Sequence, residues 1–281
     1  MRLATIRTPP GSRAVLVDGD VALELDAPDV GALLAASEGA ATLPLTGVEH
    51  ALDGLDFAPL VPSPRKIFCL GLNYRDHILE MGHELPDHPT VFAKFPISLI
   101  GARDDVWLPR ESDAVDWEVE LGVVIGRTVR RATADAARDA IAGYTVVNDV
   151  SMRDWQYRTQ QFLQGKTWER STPVGPWLVT PDEVDHAHDL RLTCAVDGQL
   201  VQDGRTSDLL FDPVETVQYL STICTLEPGD LISTGTPAGV GHGRKPPVYL
   251  RPGQVMTTTI EGIGELVNRC VTDPPAPSSS A

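Results

Sequence analysis

Residues 115–125 read VDWEVELGVVI, and two features of the run oppose each other. From Val119 to Ile125 the aliphatic and β-branched residues predict a strand. Glu118 and Glu120 stand at its start, with Asp116 two positions before them. In an extended chain residues i and i+2 share a face, so Glu118 and Glu120 project with Gly122 and Val124, opposite Val119, Leu121, Val123 and Ile125. A half-exposed strand with a solvated polar face is the ordinary reading of Glu-x-Glu. Here the carboxylate face continues as glycine and valine, which predicts burial on both sides. Like charges beside a buried strand raise each other's pKa unless a cation or hydrogen bonds compensate. The run therefore predicts a buried strand that needs a counter-charge.

Working outward, short strand patterns recur along the chain: Arg2–Ile6, Ala14–Val17, Val21–Leu25, Lys66–Leu70, Leu121–Ile125, Tyr144–Asp149, Trp177–Thr180, Leu192–Val196, Leu231–Thr234 and Val255–Ile260. Helical patterns are fewer, at Val30–Ser37, Tyr74–Met81, Thr133–Ile141 (with Thr133 as N-cap) and Pro213–Ser221. Many short strands separated by Gly/Pro turns predict a β-rich α+β fold rather than a regular βαβ array. The stretch FAPLVPSPRK, with prolines at 59, 62 and 64, fits neither a helix interior nor a central strand. It divides a small N-terminal α+β domain (1–58) from a main domain (66–270) through a connector (59–65), and TDPPAPSSSA predicts a disordered tail over 271–281.

Bulk properties narrow the partners. A formal net charge of −16, from 39 acidic and 23 basic residues, repels nucleic acid and anionic membranes. No apolar run reaches the roughly 18 residues of a membrane span, and MRLATIRTPPGSR lacks the apolar stretch of a signal peptide, so a cytoplasmic address is expected. Cys69, Cys194, Cys224 and Cys270 are far apart without C-x-x-C spacing and read as buried reduced thiols.

Hard divalent cations take oxygen ligands, and two glutamates make a thin site. Asp149 in GYTVVNDVSMRDWQ (143–156) is a third candidate, where an apolar run turns polar, although a turn or N-cap aspartate is its commoner use. If the polar run is helical from its start, Arg153 and Gln156 align with Asp149 on one face; a surface ion pair and a solvated amide are their plainer roles. In CLGLNYRDHILEMGHELPDHP (69–89), His77 and Glu80 are three apart on a helix, a spacing that lets a carboxylate orient an acid–base histidine or leaves an ordinary surface pair. His83 and His88 offer only a weak zinc reading.

Taken in order, KIFCLGLNYRDHILEMG, PTVFAKFPISLIG, VDWEVELGVVIGR, GYTVVNDVSMRDWQ, GKTWERSTPVGPWLVT, ISTGTPAGVG and RPGQVMTTTIEGIG resemble the fumarylacetoacetate hydrolase family from about residue 64 to 268. The resemblance implies a mixed, rolled, barrel-like β-sheet holding Mg²⁺, with Mn²⁺ or Ca²⁺ as substitutes, in a homodimer. It implies Glu118, Glu120 and Asp149 as metal ligands and His77 with Glu80 as an acid–base pair on a lid. It further implies that Lys166 reaches the substrate, that Thr236 contacts it, and that Arg153 and Gln156 line the pocket; Lys94 lies in a matching block and is placed with the substrate-binding set. Asp116 matches no ligand position. The run Trp168-Glu169-Arg170-Ser171-Thr172 departs from many relatives, so the substrate of any one relative does not transfer.

Three carboxylates on one side of a divalent cation leave room for a 2-oxo acid, whose enolate the cation stabilises. Hydrolysis of a C–C bond in an acylpyruvate or β-diketo acid ranks first, with His77 activating water; oxaloacetate decarboxylation comes second, and a hydroxymuconate-type isomerisation or hydration third. The non-enzymatic alternative is a β protein stabilised by a metal, for which His77, Glu80 and Lys166 have no use.

Overall fold

The computed structural model describes residues 1–9, 11–36, 43–80 and 84–274, excepting the side chains of Asp76, His77 and Glu80. The opening run divides into a two-residue strand, Val115–Asp116, and a seven-residue strand, Val119–Ile125, every residue of which is buried. Val119–Ile125 lies between Ile141–Asn148 and Leu231–Ser233, antiparallel to both, and Leu231–Ser233 runs parallel to Ile67–Gly71. These four sit inside an eleven-stranded sheet that Thr90–Ala93 ends on one side. On the other side the sheet continues through Thr172–Val179 to the first four strands of the chain, Arg2–Thr8, Gly11–Asp18, Val21–Leu25 and Leu45–Ala51. The residues expected to form a small N-terminal domain thus share one sheet with the rest, through Arg2 opposite Val179 and Leu3 opposite Leu178.

Burial on both faces explains why the central strands read as continuous apolar runs. On one face Leu121, Val123 and Val146 pack with Leu192, Cys194, Met256, Ile260 and Leu266 of a second, five-stranded sheet. On the other, Val124, Val147 and Leu178 pack with Val30, Leu33, Leu60 and Val61. The connector residues Leu60 and Val61 are therefore buried without strand or helix geometry. The result is a β-rich, mixed α+β fold, as expected. Gly122 belongs to this packing: a β-carbon there would lie 2.7 Å from the side chains of both Thr145 and Val147.

Helix starts follow their sequence signals. Thr133 accepts from Ala136 N–H ahead of Ala134–Ala140, and Asp212 with Glu215 forms a capping box on Pro213–Ile223. The expected alignment of Asp149, Arg153 and Gln156 on one helix does not occur. Ser151–Met152 first pairs as a strand with Val115–Asp116, and the helix covers only Arg153–Gln156. At the C-terminus, Gly264–Thr272 pairs with Val106–Leu108 two residues into the expected tail; 275–281 lie outside the described residues. No helix among the described residues is long and apolar enough to cross a membrane.

All four cysteines are free thiols. Burial pushes Cys194 and Cys270 up to about 12 and raises Cys69 well above its ordinary range. A thiol titration with an aromatic disulfide at pH 8 should therefore find Cys224 reactive in the native protein and the other three only after unfolding. Rapid reaction of more than one thiol in the native protein would contradict this packing.

Candidate metal and active site

Strand direction brings the candidate ligands together. The strand Val119–Ile125 begins where its antiparallel neighbours Ile141–Asn148 and Leu231–Ser233 end, and the parallel strand Ile67–Gly71 ends there too. Glu120 therefore lies near Asp149, which follows Asn148, and opposite Gly235, two residues beyond the Gly122–Ser233 pair. Glu118 precedes the strand and is pinned by its own N–H to the Asn148 side chain at 3.0 Å and by its carbonyl to Asp149 N–H at 2.9 Å. Carboxylate oxygens of Glu118, Glu120 and Asp149 all lie within 4.8 Å of one another, in fully buried surroundings.

The charges around them are nearly balanced. Lys166 Nζ donates to Glu118 Oε2 at 2.6 Å and to Asp149 Oδ2 at 2.8 Å, and Lys94 Nζ reaches Asp149 Oδ1 at 2.5 Å. Arg153 spans Asp116 (Nε–Oδ2, 2.9 Å), Glu118 (Nη2–Oε1, 2.6 Å) and Gln156 (Nη1–Oε1, 2.9 Å). Four carboxylates thus face three cations. Glu120 is the carboxylate left over: it accepts from Ser233 Oγ at 2.5 Å and Gly235 N–H at 2.9 Å, with no cation at ion-pair distance among the described residues. Burial, then the Asp149 and Glu118 carboxylates, hold Glu120 well above the usual carboxylate range. Asp149 goes the other way. Burial pushes it up, but the Lys166 and Lys94 ammoniums outweigh that and bring it to about 2. Burial alone would lower Lys166, yet Asp149 and Glu118 carry it above the ordinary lysine range, so it is a donor at neutral pH.

An all-oxygen set with one uncompensated buried carboxylate fits a hard divalent cation, which would hold Glu120 ionised. The cluster opens into a cavity of about 200 Å³ lined by Glu118, Glu120, Arg153, Gln156, Lys166 and Thr236 together with apolar walls from Leu70, Phe92, Phe162 and Val240. That is smaller than the pockets typical of drug-sized ligands, roughly 300–1,000 Å³.

Each candidate residue has a definite place. Thr236 lines the cavity, but its hydroxyl donates to Val119 carbonyl at 2.9 Å and accepts from Gln202 at 2.8 Å. Lys94 is buried at Asp149 and is not among the lining side chains. Lys166 owes its position to Gly165: a β-carbon there would lie 2.5–2.6 Å from Gln156, so only glycine lets Leu163–Lys166 abut Arg153–Gln156. His77 and Glu80 fall on the helix Arg75–Glu80, which leaves the sheet directly after the strand Ile67–Gly71 through Leu72 at φ +54°; their side chains are outside the described residues. So is His83, while His88 stacks on Tyr219 at 6.3 Å between ring centroids.

This architecture has known counterparts. Residues 66–271 match the family model described as "Fumarylacetoacetate (FAA) hydrolase C-terminal". The chain belongs to the fumarylacetoacetate hydrolase family. It is 43% identical over 216 residues to "Oxaloacetate tautomerase Fahd2a, mitochondrial" of Rattus norvegicus, covering 76% of this chain and 69% of that protein. Among solved structures it resembles a fumarylacetoacetate hydrolase from psychrophilic Exiguobacterium antarcticum, with TM-score 0.87, 32% identity and coverage of 97% of this chain and 100% of the other. It also resembles a 5-carboxymethyl-2-hydroxymuconate delta-isomerase from Mycobacterium smegmatis, with TM-score 0.82, 33% identity and coverage of 97% and 100%.

Two residues of this neighbourhood carry no role in the sequence reading, which sets Asp116 apart from the ligands and does not name His242. Asp116, fully buried, accepts from Arg153 and from the N–H groups of Trp117, Gly241 and His242 at 2.7–2.9 Å. His242 lines the cavity. The signal for both is the Gly-x-Gly of 239–241. A β-carbon on Gly241 would meet Val248 carbonyl at 1.9 Å and Asp116 Oδ1 at 2.8 Å, so the loop must pass against the aspartate.

Proposed function

We propose that this protein catalyses proton transfer between the enol and keto forms of a small 2-oxo acid, with Mg²⁺ held by Glu118, Glu120 and Asp149. The observation that carries the reading is the pairing of that three-carboxylate cluster with a protonated Lys166 at the floor of a small, mostly apolar cavity. The bound ion would supply Lewis acidity toward the carboxylate and 2-keto oxygens of the substrate. Lys166, a donor at neutral pH, offers an N–H where negative charge gathers in the enolate. The leucine, phenylalanine and valine walls keep water from that charge and strengthen each contact. His77, three positions before Glu80 on the helix Arg75–Glu80, is the residue assigned to move the proton at the carbon next to the keto group.

Enol–keto transfer needs no attacking water, which suits the apolar walls, and the name of the rat relative supports it. A second reading, C–C hydrolysis of an acylpyruvate, is favoured by likeness to the Exiguobacterium hydrolase; it uses the same enolate with His77 activating water. Decarboxylation of oxaloacetate shares the enolate as well. The Mg²⁺-loaded protein should be given oxaloacetate, acetylpyruvate and fumarylpyruvate while enol absorbance, pyruvate and CO₂ are followed. Accelerated loss of the oxaloacetate enol without matching pyruvate is the expected result. Pyruvate release from an acylpyruvate with no effect on the oxaloacetate enol would replace this reading with hydrolysis. His77→Ala should cut turnover by about 10²–10⁴-fold while Mg²⁺ affinity stays unchanged; unchanged turnover would remove His77 from the mechanism. A homodimer in the cytoplasm completes the reading, and light scattering should find twice 30.3 kDa.

A further inference from the structure

His242 is a histidine set on the cavity wall, and the chemistry proposed above does not employ it. Its backbone is pinned to Asp116, and its ring is held on two sides. Nδ1 lies 2.9 Å from Tyr249 Oη, and the Tyr157 ring stacks on it at 5.2 Å between centroids and 29° between planes. Burial and then the nearby Arg153 guanidinium press the imidazole below its ordinary range, against a smaller opposing effect of Asp116, so it is neutral at pH 7. Tyr249 Oη–H is the natural donor to a neutral imidazole nitrogen, which puts the ring proton on Nε2. Nε2 has no partner among the described residues.

The neighbouring polar groups divide into spent and available. Arg153 directs one N–H each of Nε, Nη1 and Nη2 at Asp116, Gln156 and Glu118, which fixes the guanidinium in place and leaves one hydrogen on each Nη. Thr236 is committed to Val119 and Gln202. Gln156 gives its oxygen to Arg153, and its amide nitrogen remains available among the described residues. His242 and Gln156 line the same cavity as Glu118 and Glu120. A second anionic group of a substrate whose 2-oxo end is held at the metal ligands would meet these N–H donors on the cavity wall.

We infer that His242 is a specificity-determining residue, presenting Nε2–H beside the Gln156 amide to the distal carboxylate of a 2-oxo diacid whose 2-oxo end lies at Glu118, Glu120 and Asp149. This deepens the 2-oxo acid reading of the same site and rests on it. Tyr249 is the positioning residue that keeps the proton on Nε2.

Pyruvate and oxaloacetate differ by that carboxylate alone, so their binding to the Mg²⁺-loaded protein, measured by calorimetry, isolates it. His242→Leu should weaken oxaloacetate about 10- to 100-fold, the range of a hydrogen bond to a charged group. Pyruvate should change less than about twofold, since it lacks the partner. His242→Gln, which restores an N–H donor, should recover most of the oxaloacetate affinity, and Tyr249→Phe should lose part of it. In turnover the loss should fall on KM rather than kcat. Equal losses for both acids, unchanged oxaloacetate affinity in His242→Leu, or wild-type protein that binds oxaloacetate no tighter than pyruvate would each overturn the inference. A His242-dependent preference for oxaloacetate without turnover would sustain it while defeating the proposed reaction; binding of neither acid would defeat both.

Discussion

Glu120→Gln is expected to abolish Mg²⁺-dependent activity while leaving the metal-free protein at least as stable as the wild type. Turnover should fall by about 10²-fold or more, since even outer-shell changes at metal sites cost 10–100-fold. The stability half of the prediction follows from the contacts. The amide oxygen still accepts from Ser233 and Gly235, and the NH₂ group replaces a like charge beside Asp149 and Glu118. Because folding raises the Glu120 pKa, there is no penalty below the ordinary carboxylate range, where the group is protonated in both states. The penalty grows as pH rises above about 4.3, the unfolded value. In EDTA the variant should therefore gain on the wild type between about pH 4 and neutrality. Added Mg²⁺ should raise the wild-type melting temperature and not that of the variant. A variant that still melts higher with Mg²⁺, at unchanged half-saturation, would take Glu120 out of the ligand set.

Asp116→Ala should cost the most stability of any single change at the site. It removes the acceptor of three backbone N–H groups and one of the two carboxylates that neutralise the buried Arg153. Breaking a buried ion pair from one side costs about 3–5 kcal/mol, readable as a lowered urea midpoint. Asp116→Asn keeps an acceptor for the loop and should fall between. The loss should extend to function: with the 241–242 backbone released, His242 loses its station on the cavity wall, and the preference for oxaloacetate over pyruvate should fall with stability. A normal urea midpoint in Asp116→Ala would show that the loop is held by other means.

The opening run shows what could be read from residues alone. Glycine and valine on the face of Glu118 and Glu120 argued for burial, and the strand is buried throughout. The placement of Asp149 at the end of an apolar run followed from the same change of composition. Three things could not be read. The break at Trp117–Glu118 turns Asp116 toward Arg153 and the 241–242 loop; it depends on a partner strand, Ser151–Met152, some thirty-five positions away. The edge strand Gln199–Arg205 reads QLVQDGR, too polar to signal a strand, and exists because Asp197 and Gly198, at φ +50° and +77°, fold it back onto Arg191–Val196. The charge balance was also hidden: Lys94, Arg153 and Lys166 are distant in sequence, and only the fold sets them against the carboxylates.

The carboxylates stand on or immediately beside hydrogen-bonded strand ends, while Tyr157, Phe162, Thr236, Val240 and His242 reach the cavity from segments that leave the sheets. The candidate metal ligands and the side chains that would meet the rest of a substrate thus belong to separable parts of the chain. For directed evolution this separation predicts where variation is tolerated. Libraries confined to 157–163 and 236–249, sparing Gly239 and Gly241, should stay folded and acquire new substrates, whereas libraries in 119–125 or 141–148 should yield mostly insoluble protein. On this arrangement, a change of substrate should require only a few loop substitutions and leave the sheets that hold the carboxylates intact.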